Sequence, residues 1–158
     1  MRILKEQTAG LVIDIQERLF PFIHDNETLT KNASVLVQGL QAMNIPLLVT
    51  EQYTKGLGPT IKPLQEVLNG TGIMEKMAFS CCDDQPFMEV LTALGKKFIV
   101  ITGIESHVCV LQTAIDLLER NYIPVVVEDC VSSRKVNDKS MAINRMRRAG
   151  AIITTYES

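Results

Sequence analysis

The sequence predicts a three-layer α/β/α protein built on a doubly wound, six-stranded parallel sheet, and two observations predict it. Six short apolar runs rich in Val and Ile alternate with five segments whose apolar residues recur at helical spacing. This alternation is typical of parallel strands joined by crossover helices. The commonest order for such a Rossmann-like sheet is 3-2-1-4-5-6, which we predict here.

The six apolar runs are predicted as strands because each is short and is bounded by polar residues or by Gly and Pro. A continuous apolar run, rather than an alternating one, indicates a strand that is buried on both faces. The predicted strands are AGLVID (9–14), IPLLVT (45–50), GIMEK (72–76), KFIVIT (97–102), IPVVVE (123–128) and AIITT (151–155).

The five intervening segments are predicted as helices, with residues 28–43, 59–68, 84–94, 107–120 and 138–149. Ser106 is placed as the N-cap of the fourth helix and Asn137 as a cap of the fifth, because their short polar side chains can accept from a free N–H of the first turn. Gly95 and Gly150 follow the third and fifth helices, where glycine commonly ends a helix.

Length and composition indicate one globular domain over residues 1–158. The chain is 46% hydrophobic and 22% charged, with a formal net charge of -2 and a pI near 5.7. This balance gives no electrostatic reason to bind nucleic acid. The one dense basic cluster, Arg145, Arg147 and Arg148, lies on a predicted helix without interleaved aromatic residues, so we interpret it as a solvated helix face.

The location of the protein is predicted from what its sequence lacks. The first ten residues, MRILKEQTAG, contain three charges and no apolar run of signal-peptide length. No apolar segment is long enough to span a membrane. We therefore expect a cytoplasmic protein without a membrane partner.

Four cysteines and two histidines limit the metal and redox chemistry. In a chain of this size without a secretory signal, Cys81, Cys82, Cys109 and Cys130 are expected to stay reduced. Their spacing contains no C-x-x-C pair, and His24 and His107 cannot form a His-rich site. We expect neither a metal nor a cofactor, and we interpret all the cysteines except Cys109 as packing or incidental thiols.

Three reactive side chains follow the predicted strands at one edge of the sheet. Asp14 ends the first strand, Lys76 ends the third, and Cys109 lies on the first turn of the helix after the fourth. Strands 1 and 4 are neighbours at the switch point, the usual ligand site of this fold. A helix N-terminus and a nearby ammonium favour a thiolate, and a carboxylate can accept the thiol proton. The residues therefore allow Cys109 to be a nucleophile.

Each of these residues also has a purely structural interpretation. Asp14 alone would cap a turn, and Lys76 alone would be a solvated lysine. Cys109 would be a small packing residue on a helix that turns an apolar face to the sheet, formed by Val108, Leu111, Ile115 and Leu118. The residue chemistry leaves the two interpretations of Cys109 open.

Other loops at this edge are predicted to form the substrate pocket. The segment after strand 2, TEQYTKGLGPT, has no phosphate-binding pattern and is interpreted as a flexible pocket wall. His107 is two residues from Cys109, so the two side chains diverge around the helix axis and do not pair. The predicted pocket residues are Phe20, Gln52, Tyr53, Phe79, Glu105, Ser106 and His107. This mixture indicates a small, partly apolar substrate.

The motifs are together similar to those of the isochorismatase-like cysteine hydrolases, and specifically to the small isochorismatase-domain hydrolases. The resemblance rests on VIDIQ, EKMAFS and GIESHVCVLQTAIDLLERNY, in this order and spacing, and on the later VVVEDCVSSR and AGAIITTYES. It covers nearly the whole chain. The TEQ…GLG loop is shared with the small-hydrolase subgroup.

The resemblance implies a catalytic triad in which Asp14 takes the thiol proton, Lys76 stabilises the thiolate and Cys109 attacks a carbonyl carbon. It also implies a cis peptide at Ile104–Glu105, with the Glu105 and Cys109 N–H groups forming an oxyanion hole. The implied activity is hydrolysis of a small amide-type C–N bond through a covalent acyl-enzyme without a cofactor.

Two features differ from relatives of this family. The loop after strand 2 lacks the histidines that nicotinamidases use as metal ligands, so nicotinamide hydrolysis through a metal is not expected. The chain reaches only Ser158, where relatives usually continue. We therefore expect either a trimmed chain or a partner subunit over one face of the sheet, and predict a homo-oligomer.

The sequence is compatible with three functions. The first is the cysteine hydrolase, for which amide, ester and vinyl-ether substrates are all compatible with the sequence. The second is a thiol redox or electrophile-binding protein on the same fold, which requires a Cys109 thiol of low pKa. The third is a non-catalytic oligomeric scaffold.

Overall fold

The computed structural model describes residues 1–158 and contains one parallel sheet of six strands in the order 3-2-1-4-5-6. The strands are β1 (Thr8–Ile13), β2 (Leu47–Gln52), β3 (Ile73–Lys76), β4 (Phe98–Ile104), β5 (Ile123–Ser132) and β6 (Ile152–Thr154). Every pairing between neighbouring strands is parallel. The predicted fold class and strand order are confirmed.

Six α-helices connect the strands: α1 (Asn26–Ala42), α2 (Thr54–Leu57), α3 (Lys62–Val67), α4 (Gln85–Leu94), α5 (Leu111–Glu119) and α6 (Val136–Ala149). A π-helical turn, Ser106–Val110, precedes α5 without a break. None of these helices has the length and apolar character needed to cross a bilayer.

The sheet is covered on both faces, as its apolar strands require. One core cluster joins β1 and β4 to residues of α4, α5 and α6, such as Phe87, Leu117 and Met146. A second cluster joins the other face to α1 and α3, through residues such as Val37 and Leu64. All six residues of β1 are buried. Burial of each large apolar side chain contributes about 1.5–3 kcal/mol, so β1 is held firmly at the centre of the fold.

A bulge in β5 changes its register against β4. Ile101 pairs with Val126, but Gly103 pairs with Val131. Between these two pairs β5 therefore advances by five residues while β4 advances by two. The extra residues are fixed by bonds from the Asn32 side chain to the Asp129 carbonyl (3.0 Å) and from Thr102 Oγ1 to the Cys130 carbonyl (2.6 Å). The bulge brings the end of β5 beside the end of β4.

The start of the fourth predicted helix differs from the prediction. Glu105, not Ser106, occupies the N-cap of the π-helical turn, and no side chain caps it. The Ser106 hydroxyl is buried without a hydrogen-bond partner. The predicted sheet-facing side of this helix is confirmed for Leu111, which is buried, and for Val108 and Ile115, which pack partly buried against the core cluster that includes β1 and β4. It is wrong for Leu118, since Leu117 is buried in its place. The wider π turn rotates the side chains that follow it.

The cap predicted for the fifth helix is also wrong. Helix α6 begins at Val136, and its N-cap is Lys135, which makes no side-chain cap bond. Asn137 therefore lies inside the first turn. The predicted helix ends at Gly95 and Gly150 are confirmed, since both glycines have positive φ angles, 60° and 112°.

Candidate active site

Asp14 directly follows β1 and is turned back into the protein by its backbone. Its φ angle of 52° lies in the left-handed region, which Asp tolerates better than most residues. Thr50 of β2 fixes the carboxylate, because its hydroxyl donates to Asp14 Oδ1 at 2.8 Å. The Asp14 side chain is 2% exposed, so its negative charge lies inside the protein and needs a positive partner.

Lys76, the last residue of β3, supplies that partner. Its Nζ donates to Asp14 Oδ2 at 2.6 Å, to Gln52 Oε1 at 2.8 Å, and to the carbonyls of Ala78 and Phe79, each at 3.0 Å. An ammonium has three protons, so these four oxygens use its full donor capacity. Burial opposes the charge on Lys76, but the Asp14 carboxylate, with smaller effects from the nearby thiols, raises its pKa above the usual value. Lys76 is therefore a charged, immobile group.

Cys109 lies in the π-helical turn, close to this ion pair, and is 6% exposed. Burial raises the pKa of its thiol, the Asp14 carboxylate raises it further, and Lys76 opposes these effects without cancelling them. Lys76 favours the thiolate, as expected, but burial and the Asp14 carboxylate outweigh it. The thiol therefore lies next to a carboxylate that raises its pKa and that can accept its proton.

Gly103 allows β4 to approach the end of β1 closely. A Cβ atom built at this position would lie 2.6 Å from the Ile13 carbonyl oxygen and 2.7 Å from the Ile13 Cβ. Ile13 immediately precedes Asp14, and Gly103 lies six residues before Cys109. The glycine thus lets the strands that carry the acid and the thiol pack side by side.

Glu105 connects β4 to the π-helical turn, and the Ile104–Glu105 peptide is cis. The Glu105 N–H donates to no acceptor within the chain. The Glu105 side chain is 6% exposed, and its Oε2 accepts from the N–H and from Nε of Arg134, both at 3.0 Å. Glu105 therefore combines a tethered side chain with a backbone donor that is free for a ligand.

The predicted pocket residues have different surroundings. Gln52 contacts Lys76 directly, and its amide donates to the Met77 carbonyl at 2.8 Å. Phe79 contributes its carbonyl to Lys76, but its ring is exposed, as is Tyr53. Phe20 packs instead against the core cluster under α1 and α3.

His107 faces away from the ion pair. Its Nδ1 lies 2.9 Å from Ser133 Oγ and its Nε2 lies 3.9 Å from Asp138 Oδ2. It lines a cavity of about 570 Å³ between the π-helical turn and α6, together with residues such as Leu111, Met141 and Arg145. As predicted, His107 does not pair with Cys109.

The loop after β2 is a fixed part of the structure rather than a flexible wall. The buried Glu51 carboxylate accepts from the Thr60 N–H at 2.7 Å and from the Thr60 hydroxyl at 2.8 Å. The side chain of Gln16 donates to the carbonyls of Gln52 (2.9 Å) and Gly58 (2.7 Å) and accepts from the Gln52 N–H (2.6 Å). Gln16 therefore holds the residue that contacts Lys76.

Sequence reasoning missed three residues at this site: Thr50, Gln16 and Cys81. Thr50 and Gln16 hold Asp14 and Gln52 as described above. Cys81 is wholly buried next to Thr50 Oγ1 (3.8 Å), and burial together with the Asp14 charge raises its pKa to about 12. Its interpretation as a packing thiol is confirmed, since it lies in the core cluster, but its place near Asp14 was not predicted. Two features of the sequence could have indicated residues of this site. Thr50 ends a predicted strand, and Gln16 follows Asp14 by two residues.

Comparison with known proteins identifies the family. Residues 8–158 match the model of the isochorismatase domain. The chain is 38% identical over 165 residues to isochorismatase family protein 1B of Dictyostelium discoideum, an alignment that covers 99% of this chain and 78% of that protein.

Solved structures agree with this match. The MAR1 ribonuclease of Caenorhabditis elegans superposes with a TM-score of 0.93 at 40% identity, covering 99% of this chain and 81% of the other. YcaC of Escherichia coli, an octameric hydrolase of unknown specificity, and YcaC of Pseudomonas aeruginosa, with hexane-2,5-diol and covalent acrylamide, each give a TM-score of 0.93 at 25% identity. These alignments cover 99% of this chain and 78% and 79% of the respective YcaC chains. This chain belongs to the isochorismatase family and has the hydrolase fold of that family.

Proposed function

We propose that this protein is a cysteine-dependent hydrolase that cleaves the C–N bond of a small amide through a covalent acyl-enzyme. The observation that carries the proposal is the buried Asp14–Lys76 pair, 2.6 Å apart, beside the Cys109 thiol. A carboxylate, an ammonium and a thiol at one sheet edge provide a base, a fixed positive charge and a nucleophile.

In the proposed reaction the Cys109 sulfur attacks the carbonyl carbon while its proton moves to Asp14. Burial and Asp14 raise the pKa of the thiol, so in this scheme the proton leaves during the attack and Asp14 acts as the general base. The protonated Asp14 then gives this proton to the departing nitrogen as the C–N bond breaks and the thioester forms. Water, activated by the same carboxylate, hydrolyses the thioester to a carboxylic acid and regenerates the thiol.

Two groups stabilise the charges that develop in this sequence. Lys76 holds a permanent positive charge among four oxygen acceptors and favours a negative charge on the nearby sulfur. The free N–H of Glu105, with that of Cys109, is proposed to donate to the tetrahedral oxyanion. One such donor is worth about 3 kcal/mol of transition-state stabilisation.

The alternatives receive less support. A thiol redox or electrophile-trapping protein requires a Cys109 thiol of low pKa, whereas burial and Asp14 raise that pKa. The ribonuclease name of the C. elegans relative suggests RNA as a substrate, but a net charge of -2 supplies no attraction for phosphates. Covalent acrylamide in P. aeruginosa YcaC is compatible with a small amide as ligand.

The proposal extends to assembly and location. Because E. coli YcaC is octameric, we propose that this chain forms a homo-oligomer, which sedimentation velocity measures directly. All four cysteines are free and buried, which is typical of the reducing cytoplasm, where we propose that the protein acts.

The experiment is turnover of a panel of small amides and esters by wild type, Cys109→Ala and Asp14→Asn. Both variants are expected to lose turnover of every compound that wild type hydrolyses. Cys130→Ala is the matched control, since Cys130 is a buried thiol beside Asp129 rather than Asp14. Wild-type rates in Cys109→Ala would refute the mechanism.

A further inference from the structure

We propose that Arg134 is a positioning residue that holds the Glu105 N–H in place for the oxyanion, acting through the Glu105 side chain. This inference rests on the proposed function, because it assumes that an oxyanion forms at the Glu105 N–H. Arg134 itself does not touch the reacting atoms in this scheme.

Arg134 tethers the side chain of Glu105. Its carboxylate is buried, and one oxygen, Oε2, accepts from both the N–H and Nε of Arg134 at 3.0 Å. The Arg134 side chain is 57% exposed, so it contributes little to the packing of the core. A buried carboxylate is strongly oriented when it accepts one hydrogen bond from a backbone N–H and another, charge-assisted one from a guanidinium. The Glu105 side chain is therefore held in place by its carboxylate.

The segment Ser132–Arg134 also holds the chain on both sides of the Glu105 N–H. Before Glu105, Ile104 pairs with Ser132 in the sheet. After it, the imidazole of His107 lies 2.9 Å from Ser133 Oγ. This segment is itself anchored, because the Ser133 carbonyl accepts from the His24 N–H at 3.0 Å. Residues 104, 105 and 107 are thus each tied to one of three consecutive residues.

The β5 bulge creates this arrangement. If the register of Ile101 with Val126 continued, Gly103 would face Glu128, and the segment Ser132–Arg134 would lie beyond the end of β4. The bulge instead places Val131 against Gly103. The three contacts to residues 104, 105 and 107 depend on that shift.

The consequence is a specific kinetic role. Misplacement of a transition-state donor slows the chemical step, and an error of about 1 Å costs about 100-fold. Loss of an interaction made only in the transition state lowers the rate of reaction without weakening the binding of the ground state. Removal of the Arg134 side chain should therefore slow acyl transfer and leave other reactions of the thiol unchanged.

The test compares two reactions of Cys109 in the whole protein. Acetylation by p-nitrophenyl acetate passes through an oxyanion, whereas alkylation by iodoacetamide is a direct displacement at carbon and does not. Both are followed at Cys109 by peptide mass. In Arg134→Ala we expect acetylation to fall about 10- to 100-fold with alkylation within about twofold of wild type. Arg134→Lys, which can still donate to Glu105, should recover part of the acetylation rate.

Arg147→Ala is the matched control, because it removes an exposed arginine whose partner, Glu128, is also exposed. Its acetylation and alkylation rates should equal those of wild type. An unchanged acetylation rate in Arg134→Ala, or an equal fall in both reactions, would overturn the positioning role. If Arg134→Ala does not fold, Arg134→Met, which removes the Nε donor but keeps an aliphatic side chain, decides by the same comparison of the two rates. Failure of wild type to acetylate at Cys109 would instead refute the proposed function, and the inference with it.

Discussion

Lys76 Nζ lies 2.6 Å from Asp14 Oδ2, with 1% and 2% of the two side chains exposed to solvent. The pair joins the ends of β3 and β1, which are separated in the sheet by β2. Breaking a buried ion pair by removing one partner costs about 3–5 kcal/mol, because the other charge is left uncompensated. The pair is therefore part of the structure as well as of the proposed chemistry.

Lys76→Met should lower the free energy of unfolding by about 3–5 kcal/mol, since it leaves the Asp14 carboxylate without its cation. Urea unfolding measures this. In Asp14→Asn/Lys76→Met neither charge is left, so the double variant should be less destabilised than the sum of the single variants, by about 0.5–3 kcal/mol. Lys62→Met, at an exposed position in α3, should change stability by less than about 0.5 kcal/mol. Strict additivity would contradict the coupling of the two charges.

Asp14→Asn should affect two reactions of Cys109 in opposite directions. The carboxylate raises the thiol pKa, so its removal should lower that pKa and speed alkylation by iodoacetamide at pH 8, about tenfold for each pKa unit. Acyl transfer should slow by about 100-fold or more, because the proton acceptor is lost. Peptide mapping reports both rates at Cys109. Glu119→Gln, an exposed carboxylate at the end of α5, should change neither. Slower alkylation in Asp14→Asn would contradict the assigned effect of Asp14 on the thiol.

The free energy of unfolding should fall as the pH rises above about 9. Burial raises the pKa of every cysteine from the usual 9.0, to about 11 for Cys82 and about 12 for Cys81. Between pH 9 and these values the unfolded thiols lose protons that the folded thiols keep, so unfolding becomes more favourable. Each such group contributes a slope of about 1.4 kcal/mol per pH unit.

Cys130→Ala should reduce that slope by the contribution of one thiol, because Cys130 is wholly buried and burial with the adjacent Asp129 raises its pKa. Urea unfolding at pH 7, 9 and 10.5 gives the slope of the free energy of unfolding against pH. Any packing energy lost in the variant is the same at each pH and does not change this slope. Parallel curves for the variant and wild type would show that this thiol ionises as readily in the folded protein as in the unfolded chain.

Gln16→Ala should lower the free energy of unfolding by about 2–4 kcal/mol. The change removes three hydrogen bonds and leaves the N–H and carbonyl of Gln52 and the carbonyl of Gly58 without partners in a buried place. Gln85→Ala is the control, since its exposed side chain bonds only to the exposed Glu89. A loss in Gln16→Ala no larger than in Gln85→Ala would mean that the loop after β2 is held by other contacts.

The sequence predicted the sheet well because its central strands β1, β2, β4 and β5 are largely buried and therefore read as continuous apolar runs. Strand order then placed Asp14, Lys76 and the Cys109 turn at one edge, since parallel strands end together. The end of β5 was missed. Its prediction stopped at Glu128, whereas the strand continues through the bulge to Ser132.

Other features of the site could not be read from residue types. The direction of the Cys109 pKa shift depends on how deeply the thiol is buried, which packing decides. The π-helical turn leaves no mark in the spacing of apolar residues and shifts the buried face from Leu118 to Leu117. The loop after β2 appeared flexible because of its glycines, but the buried Glu51 and Gln16 side chains bind its backbone.

The most direct test of the account is the mass of the protein trapped during turnover of p-nitrophenyl acetate. We predict a single acetyl group on Cys109, absent in Cys109→Ala and formed at least about 100-fold more slowly in Asp14→Asn. Wild-type hydrolysis by Cys109→Ala, or an acetyl group on a different residue of the wild type, would contradict the central claim that this thiol is the nucleophile.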